Sequence, residues 1–103
     1  MGQINIAGQM IDINDEGYLT DAKQWNQDVA SELAKEEGID LTDTHMELIK
    51  FLRENFESGS ELTIRKVGKS GIVDIKGFYQ LFPKKPLKLA SRISGIPKPT
   101  SCI

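Results

Sequence analysis

Two apolar stripes at helical spacing, set close together in the first half of the chain, constrain its fold most. From Ala22 to Ala34 the residues Ala22, Trp25, Val29, Ala30, Leu33 and Ala34 recur every three or four positions. That spacing predicts an amphipathic helix over 22–37, with Thr20 or Asp21 as N-cap and Gly38 as its stop. A second stripe, Met46, Leu48, Ile49, Leu52 and Phe56, predicts another helix, capped by Thr42 and ending near Ser58-Gly59-Ser60. Only the short stretch Glu37–Thr42 connects them. Trp25 and Phe56 are expected in the core. His45 falls in the first turn of the second helix; with no other histidine or cysteine near it in sequence, it is not expected to bind metal.

The flanking segments are shorter. Ile4, Ile6, Met10, Ile11 and Ile13 surround an Ala7-Gly8 step and predict a β-hairpin. Asn14–Gly17 is a second turn, and Tyr18-Leu19 is expected to add a short third strand, completing a small meander. After Ser58-Gly59-Ser60, Gly68, Gly71 and Gly77 break the pattern into short helices. Asp74 is placed to cap one carrying Ile75, Phe78, Tyr79, Leu81 and Phe82, halted where Pro83 and Pro86 frame Lys84-Lys85. Leu87, Leu89, Ala90 and Ile93 fit a last helix closed by Gly95. Beyond it Pro97 and Pro99 restrict the backbone to extended geometry. A chain of 103 residues supports one modest core. The expectation is therefore a single α+β domain over 1–94, with an N-terminal β-meander on about five helices, and a flexible C-terminal arm, 95–103, carrying Cys102.

Charge is unevenly spread. Residues 1–61 hold fourteen acids and four bases, whereas 62–103 hold nine bases and one acid, Asp74. Either the two halves pair within the fold or the basic half faces a partner. No apolar run is long enough to span a bilayer, and the first residues have neither a basic flank nor a continuous apolar stretch. A cytoplasmic protein with no membrane partner is expected. No glycine-rich phosphate loop is present, and one histidine supports no Ser-His-Asp set. Neither cofactor nor metal is expected.

The single cysteine, Cys102, is the penultimate residue, so no internal disulfide can form and its thiol is free. Nucleophilic cysteines act as thiolates, which nearby cations favour. Lys98 lies four residues back, and Lys84, Lys85, Lys88 and Arg92 lie on the preceding segments, while the carboxylate of Ile103 opposes them. A thiolate on an extended arm stiffened by Pro97 and Pro99 can receive a persulfide sulfur from one protein and pass it to another. Arg65 is a candidate for a bidentate contact with the terminal carboxylate. Three uses of this tail and basic third compete: sulfur relay, docking of an acidic protein, and phosphate contacts to RNA or DNA by a non-catalytic binding or regulatory module.

The segment Tyr79-Gln-Leu-Phe-Pro-Lys-Lys-Pro86, with Leu87 to Ile103 ending in Gly95-Ile-Pro-Lys-Pro-Thr-Ser-Cys102-Ile, resembles the DsrC/TusE family. Gly17-Tyr-Leu, Trp25, Glu37-Gly38-Ile, Leu41-Thr42, His45, Phe51-Leu-Arg53 and Ile64-Arg65 extend that resemblance over nearly the whole chain. It implies a strand meander packed on helices and a penultimate cysteine that carries sulfur between a donor sulfurtransferase and an acceptor enzyme. Members that work with dissimilatory sulfite reductase have a second arm cysteine where this chain has Ser91. The single cysteine thus implies the TusE-like branch, whose acceptor thiolates the wobble uridine of certain tRNAs and brings an indirect tRNA contact. A sulfite-reductase partner is the alternative. Met46 stands where the family usually has tryptophan, Ser101 where glycine is common, and the Arg65–Tyr79 stretch is shorter than usual.

Overall fold

The computed structural model describes residues 2–98. Met1 and Pro99–Ile103, including Cys102 and most of the expected arm, lie outside the described residues. Strands β1 (Gly2–Ile6) and β2 (Gln9–Ile13) form an antiparallel hairpin in which Ile4 faces Ile11 and Ile6 faces Gln9. Ala7 and Gly8 take φ of 53° and 80°, the left-handed pair that a two-residue turn needs to match strand twist. Because side chains alternate across a strand, Ile6 and Ile11 are buried while Met10 is exposed. The expected third strand is reduced to one bridge, Ile13 with Leu19. Between them the Asn14 side chain accepts from the Glu16 and Tyr18 amides, each at 3.0 Å.

The helix expected over 22–37 is broken. Asp21 caps only a 3₁₀ turn, Ala22–Gln24, after which the backbone is extended at Trp25 and Asn26. Helix α1 (Gln27–Glu36) starts on Asn26, whose side chain accepts from the Val29 amide at 2.9 Å. An asparagine that satisfies an orphan amide in this way ends the helix backward at itself. The extended step at Trp25 also frees its ring to reach the last helix, which a continuous helix would not allow.

Helix α2 (Asp43–Glu57) begins on Thr42, as its sequence predicts. Phe56, expected in the core, is 39% exposed; it lies in the final turn, beside a surface groove rather than under a neighbouring helix. Three short helices follow: α3 (Ile64–Gly68), α4 (Ile75–Leu81) and α5 (Pro86–Ile93). The Asp74 carboxylate accepts from the Gly77 amide at 2.7 Å to cap α4. Pro86 occupies the start of α5, where its missing N–H costs nothing.

Helix α5 is the centre of the fold, since α1, α2 and α4 all pack on it. Leu87, Ala90 and Ile93 are fully buried there against a core that includes Val29, Leu33, Leu48, Leu52, Phe78 and Phe82. Each large side chain so buried contributes about 1.5–3 kcal/mol. The consequence for function is positional: the chain leading to Cys102 emerges from the most heavily packed helix.

Candidate functional site

The C-terminal segment leaves α5 through a tightly built corner. Gly95 takes φ +70°, and the amides of Ser94, Gly95 and Ile96 bond back to Ala90, Arg92 and Ser91 carbonyls at 2.9, 3.2 and 3.2 Å. This left-handed glycine stop places Ile96 in the core at 1% exposure. Two side chains from distant elements take the remaining carbonyls. The Trp25 indole Nε1–H donates to Ile93 at 2.8 Å, and Arg53 Nη1 donates to Ser94 at 2.7 Å. Arg53 Nη2 also donates to Ala22 at 3.0 Å, and its guanidinium carbon lies 4.3 Å from the Trp25 ring centroid. Burial lowers the Arg53 pKa from its ordinary value, with the Glu57 carboxylate acting against the shift.

Helix α5 also borders, through Lys88, Leu89 and Arg92, a cleft of about 320 Å³ whose other lining residues are Glu16, Tyr18, Glu37, Pro83, Lys84 and Lys85. Three of the candidate residues, Lys84, Lys85 and Arg92, therefore meet in one place. Arg92 is already committed: Nη1 binds Glu37 at 2.9 Å, Nη2 binds Glu36 at 3.1 Å, and Nε donates to the Gly17 carbonyl at 3.4 Å. Lys98 binds Glu16 on the cleft rim at 2.9 Å. Among the described residues, these are the ion pairs joining the basic half to the acidic half; Lys84, Lys85 and Lys88 make none. The cleft thus keeps a positive rim over a floor that includes Tyr18, which is 5% exposed. Burial first, and then the Glu16 carboxylate, raise the Tyr18 pKa, while Lys98 and Arg92 act in the opposite direction.

The other candidates are dispersed. Arg65 is exposed on α3 and lines neither the cleft nor the corner. Pro97 and Lys98 border a second groove with Phe56, Ser60, Glu61, Leu62 and Ile96. Pro99 and Cys102 lie outside the described residues. Ser91 is fully buried, and its hydroxyl has no hydrogen-bond partner among the described residues. Nothing in the neighbouring sequence marks Trp25, Arg53 or Tyr18 as functional; their roles come from contacts across long sequence separations. Among the described residues, no helix is long and apolar enough to cross a membrane.

Comparison with known proteins gives this arrangement a context. The model of a family described as DsrC like protein matches residues 5–103. A curated relative, Sulfurtransferase TusE of Yersinia pestis, is 37% identical over 108 aligned residues, covering 97% of this chain and 99% of the relative. In solved structures, the fold matches Allochromatium vinosum DsrC at a TM-score of 0.81 and 35% identity, covering 99% of this chain and 98% of that one. It also matches the oxidized gamma-subunit of the dissimilatory sulfite reductase (DsrC) of Archaeoglobus fulgidus at 0.82 and 32%, covering 98% and 99%. With a family match across all but its first residues, a sulfurtransferase relative aligned over nearly the whole of both chains and the same fold in solved members, the chain belongs to the DsrC-like protein family.

Proposed function

We propose that this protein is a sulfur relay, with Cys102 holding persulfide sulfur in transit between a donor sulfurtransferase and an acceptor enzyme. Family membership and the sulfurtransferase relatives support the chemistry. The observation that carries it is the placement of the tail: its root is buried at Ile96, and Lys98 is held by a carboxylate on the rim of the lysine-lined cleft. Residues 1–94 act as the domain and 95–103 as the arm, with Gly95 and Ile96 as the hinge base. A fully extended chain covers about 3.3–3.6 Å per residue, so Cys102 reaches at most roughly 20 Å from Ile96. That suffices to enter a partner's active-site cleft while the body stays outside.

The transfer step is a substitution at sulfur. The Cys102 thiolate attacks the outer sulfur of a donor R–S–SH, forming a new S–S bond to Sγ. The donor's S–S bond breaks, and its inner sulfur departs as a thiolate with the electron pair. The proton remains on the transferred sulfur, and no external oxidant is consumed. Passing the sulfur onward repeats the same step, with Cys102 as the leaving thiolate. Lys84, Lys85 and Lys88 favour the thiolate form; Arg92 and Lys98 contribute less because Glu36, Glu37 and Glu16 pair with them. Arg65 is assigned to the terminal carboxylate or to a partner's acidic group.

The acceptor in this reading is the enzyme that forms 2-thiouridine in tRNA, working in the cytoplasm, with the tRNA contacted only through that enzyme. In cells lacking this protein, 2-thiouridine in hydrolysed tRNA should disappear by mass spectrometry. The wild-type chain should restore it and Cys102→Ser should not; restoration by Cys102→Ser overturns the reading. A second reading, partnership with dissimilatory sulfite reductase, draws on the solved DsrC structures of the same fold. Ser91 argues against it, because a two-cysteine arm is then chemically unavailable.

A further inference from the structure

The corner where the arm begins is completed by side chains from distant parts of the chain and not by its own helix alone. A Schellman-type stop satisfies two of a helix's last four carbonyls through its own amides. Here Ile96 N–H and Gly95 N–H make those bonds, to Ser91 and Arg92, and the two carbonyls left over, of Ile93 and Ser94, accept from Trp25 and Arg53, side chains from outside α5. Trp25 reaches this place only because the helix expected over 22–37 is broken at it. A Cβ on Gly95 would lie 2.5–2.7 Å from three Trp25 atoms, so the indole and the Gly95 backbone are in direct contact. Arg53 then lies over the ring at 4.3 Å and ties the same cluster to Ala22. Four groups from three parts of the chain therefore fix one peptide turn, two residues before the arm's first proline, Pro97.

We propose that Trp25 and Arg53 are positioning residues that set the direction in which the arm leaves the body, and so the place where Cys102 is presented to a partner. The proposal rests on the relay reading for its purpose but on the corner geometry for its substance. Loss of either donor leaves α5 and its core contacts in place. It removes the lateral restraint on Ile93, Ser94 and Gly95, so the turn at Gly95 samples several directions. Cys102 then keeps its intrinsic reactivity toward a small persulfide, whereas its location relative to the body spreads.

Trp25→Phe keeps a ring beneath Arg53 and loses the N–H; Arg53→Gln keeps a planar donor and loses the fork and the charge. In both variants, amide hydrogen exchange at Gly95 and Ile96 should accelerate at least tenfold, while Leu33, Leu48 and Leu52 amides keep their rates. With a nitroxide on Cys102, paramagnetic broadening should fall on one compact group of body amides in the wild type and spread over several surfaces in the variants. Loading of Cys102 by glutathione persulfide should stay within twofold of wild type. A lower melting temperature with unchanged Gly95 and Ile96 exchange and an unchanged broadening pattern overturns the proposal, since the two side chains then only add stability. Failure of glutathione persulfide to load the wild type sinks the relay reading, while the exchange and broadening results still decide the positioning role.

Discussion

His45 Nε2 lies 3.0 Å from the Leu81 carbonyl, tying the first turn of α2 to the last turn of α4 across 36 residues. On its other side Nδ1 accepts from the Thr42 amide at 3.0 Å, with the Thr42 hydroxyl at 2.7 Å. The tautomer that serves both sides carries its proton on Nε2, so the imidazole closes a capping box and crosslinks two helices at once. Its edge-on contact with Phe82, 5.1 Å between centroids, fixes the ring further. His45→Ala should therefore cost about 2–4 kcal/mol, from two lost hydrogen bonds and the space left behind. Urea denaturation measures it; a loss under about 0.5 kcal/mol, typical of an ordinary surface site, contradicts this role.

Gly38 and Gly95 separate backbone strain from crowding. Both have φ near +70°, but a Cβ at Gly38 would meet nothing within 4 Å, whereas at Gly95 it would strike Trp25. Gly38→Ala should cost only the left-handed term, about 1–2 kcal/mol. Gly95→Ala should cost a further ~1–3 kcal/mol, as an overpacked core does. Equal losses in paired thermal or urea unfolding would mean that the indole yields freely.

Tyr18 predicts a pH dependence. A phenol whose folded pKa is raised holds its proton more tightly folded than unfolded. The stability it contributes is complete below the unfolded value near 10 and is lost as pH rises through the higher folded value. The absorbance difference between wild type and Tyr18→Phe in the native protein should thus titrate with a midpoint above 10. Above pH 10 the wild type should also lose stability faster than Tyr18→Phe. A midpoint at or below 10 is the opposite result.

The lysine rim should act on the tail electrostatically. Lys84→Gln, Lys85→Gln and Lys88→Gln together should slow loading of Cys102 by the anionic glutathione persulfide about three- to tenfold at low ionic strength. The difference should vanish near 0.5 M salt, where the Debye length is only a few Å. Because these side chains make no ion pairs among the described residues, circular dichroism should be unchanged. Equal rates at low salt would place the thiolate away from this rim.

Local chemistry made much of this fold readable. The Ala7-Gly8 turn, the Thr42 and Asp74 caps, Pro86 at the head of α5 and the Gly95 stop are each written in neighbouring residues. The break at Trp25 is obscured because apolar spacing continues through it: Asn26 supplies the local cap, but the extended step before it is held by a contact 68 residues away. The cleft was partly readable. Lys84, Lys85 and Arg92 stood out as charges near the tail, but the neutralisation of Arg92 by Glu36 and Glu37 depends on α1 packing against α5. Arg53 and Tyr18 carry no local signal of their roles; only the assembled corner and cleft give them one.

Whether Cys102 carries sulfur is tested most directly by mass spectrometry of the intact protein after incubation with a persulfidated sulfurtransferase. The wild type should gain about 32 Da, one sulfur atom, located on Cys102 and removed by dithiothreitol. Cys102→Ser should gain nothing. A wild type that stays unmodified under conditions that load a second thiol acceptor, or an adduct of the same mass that persists in Cys102→Ser, contradicts the account.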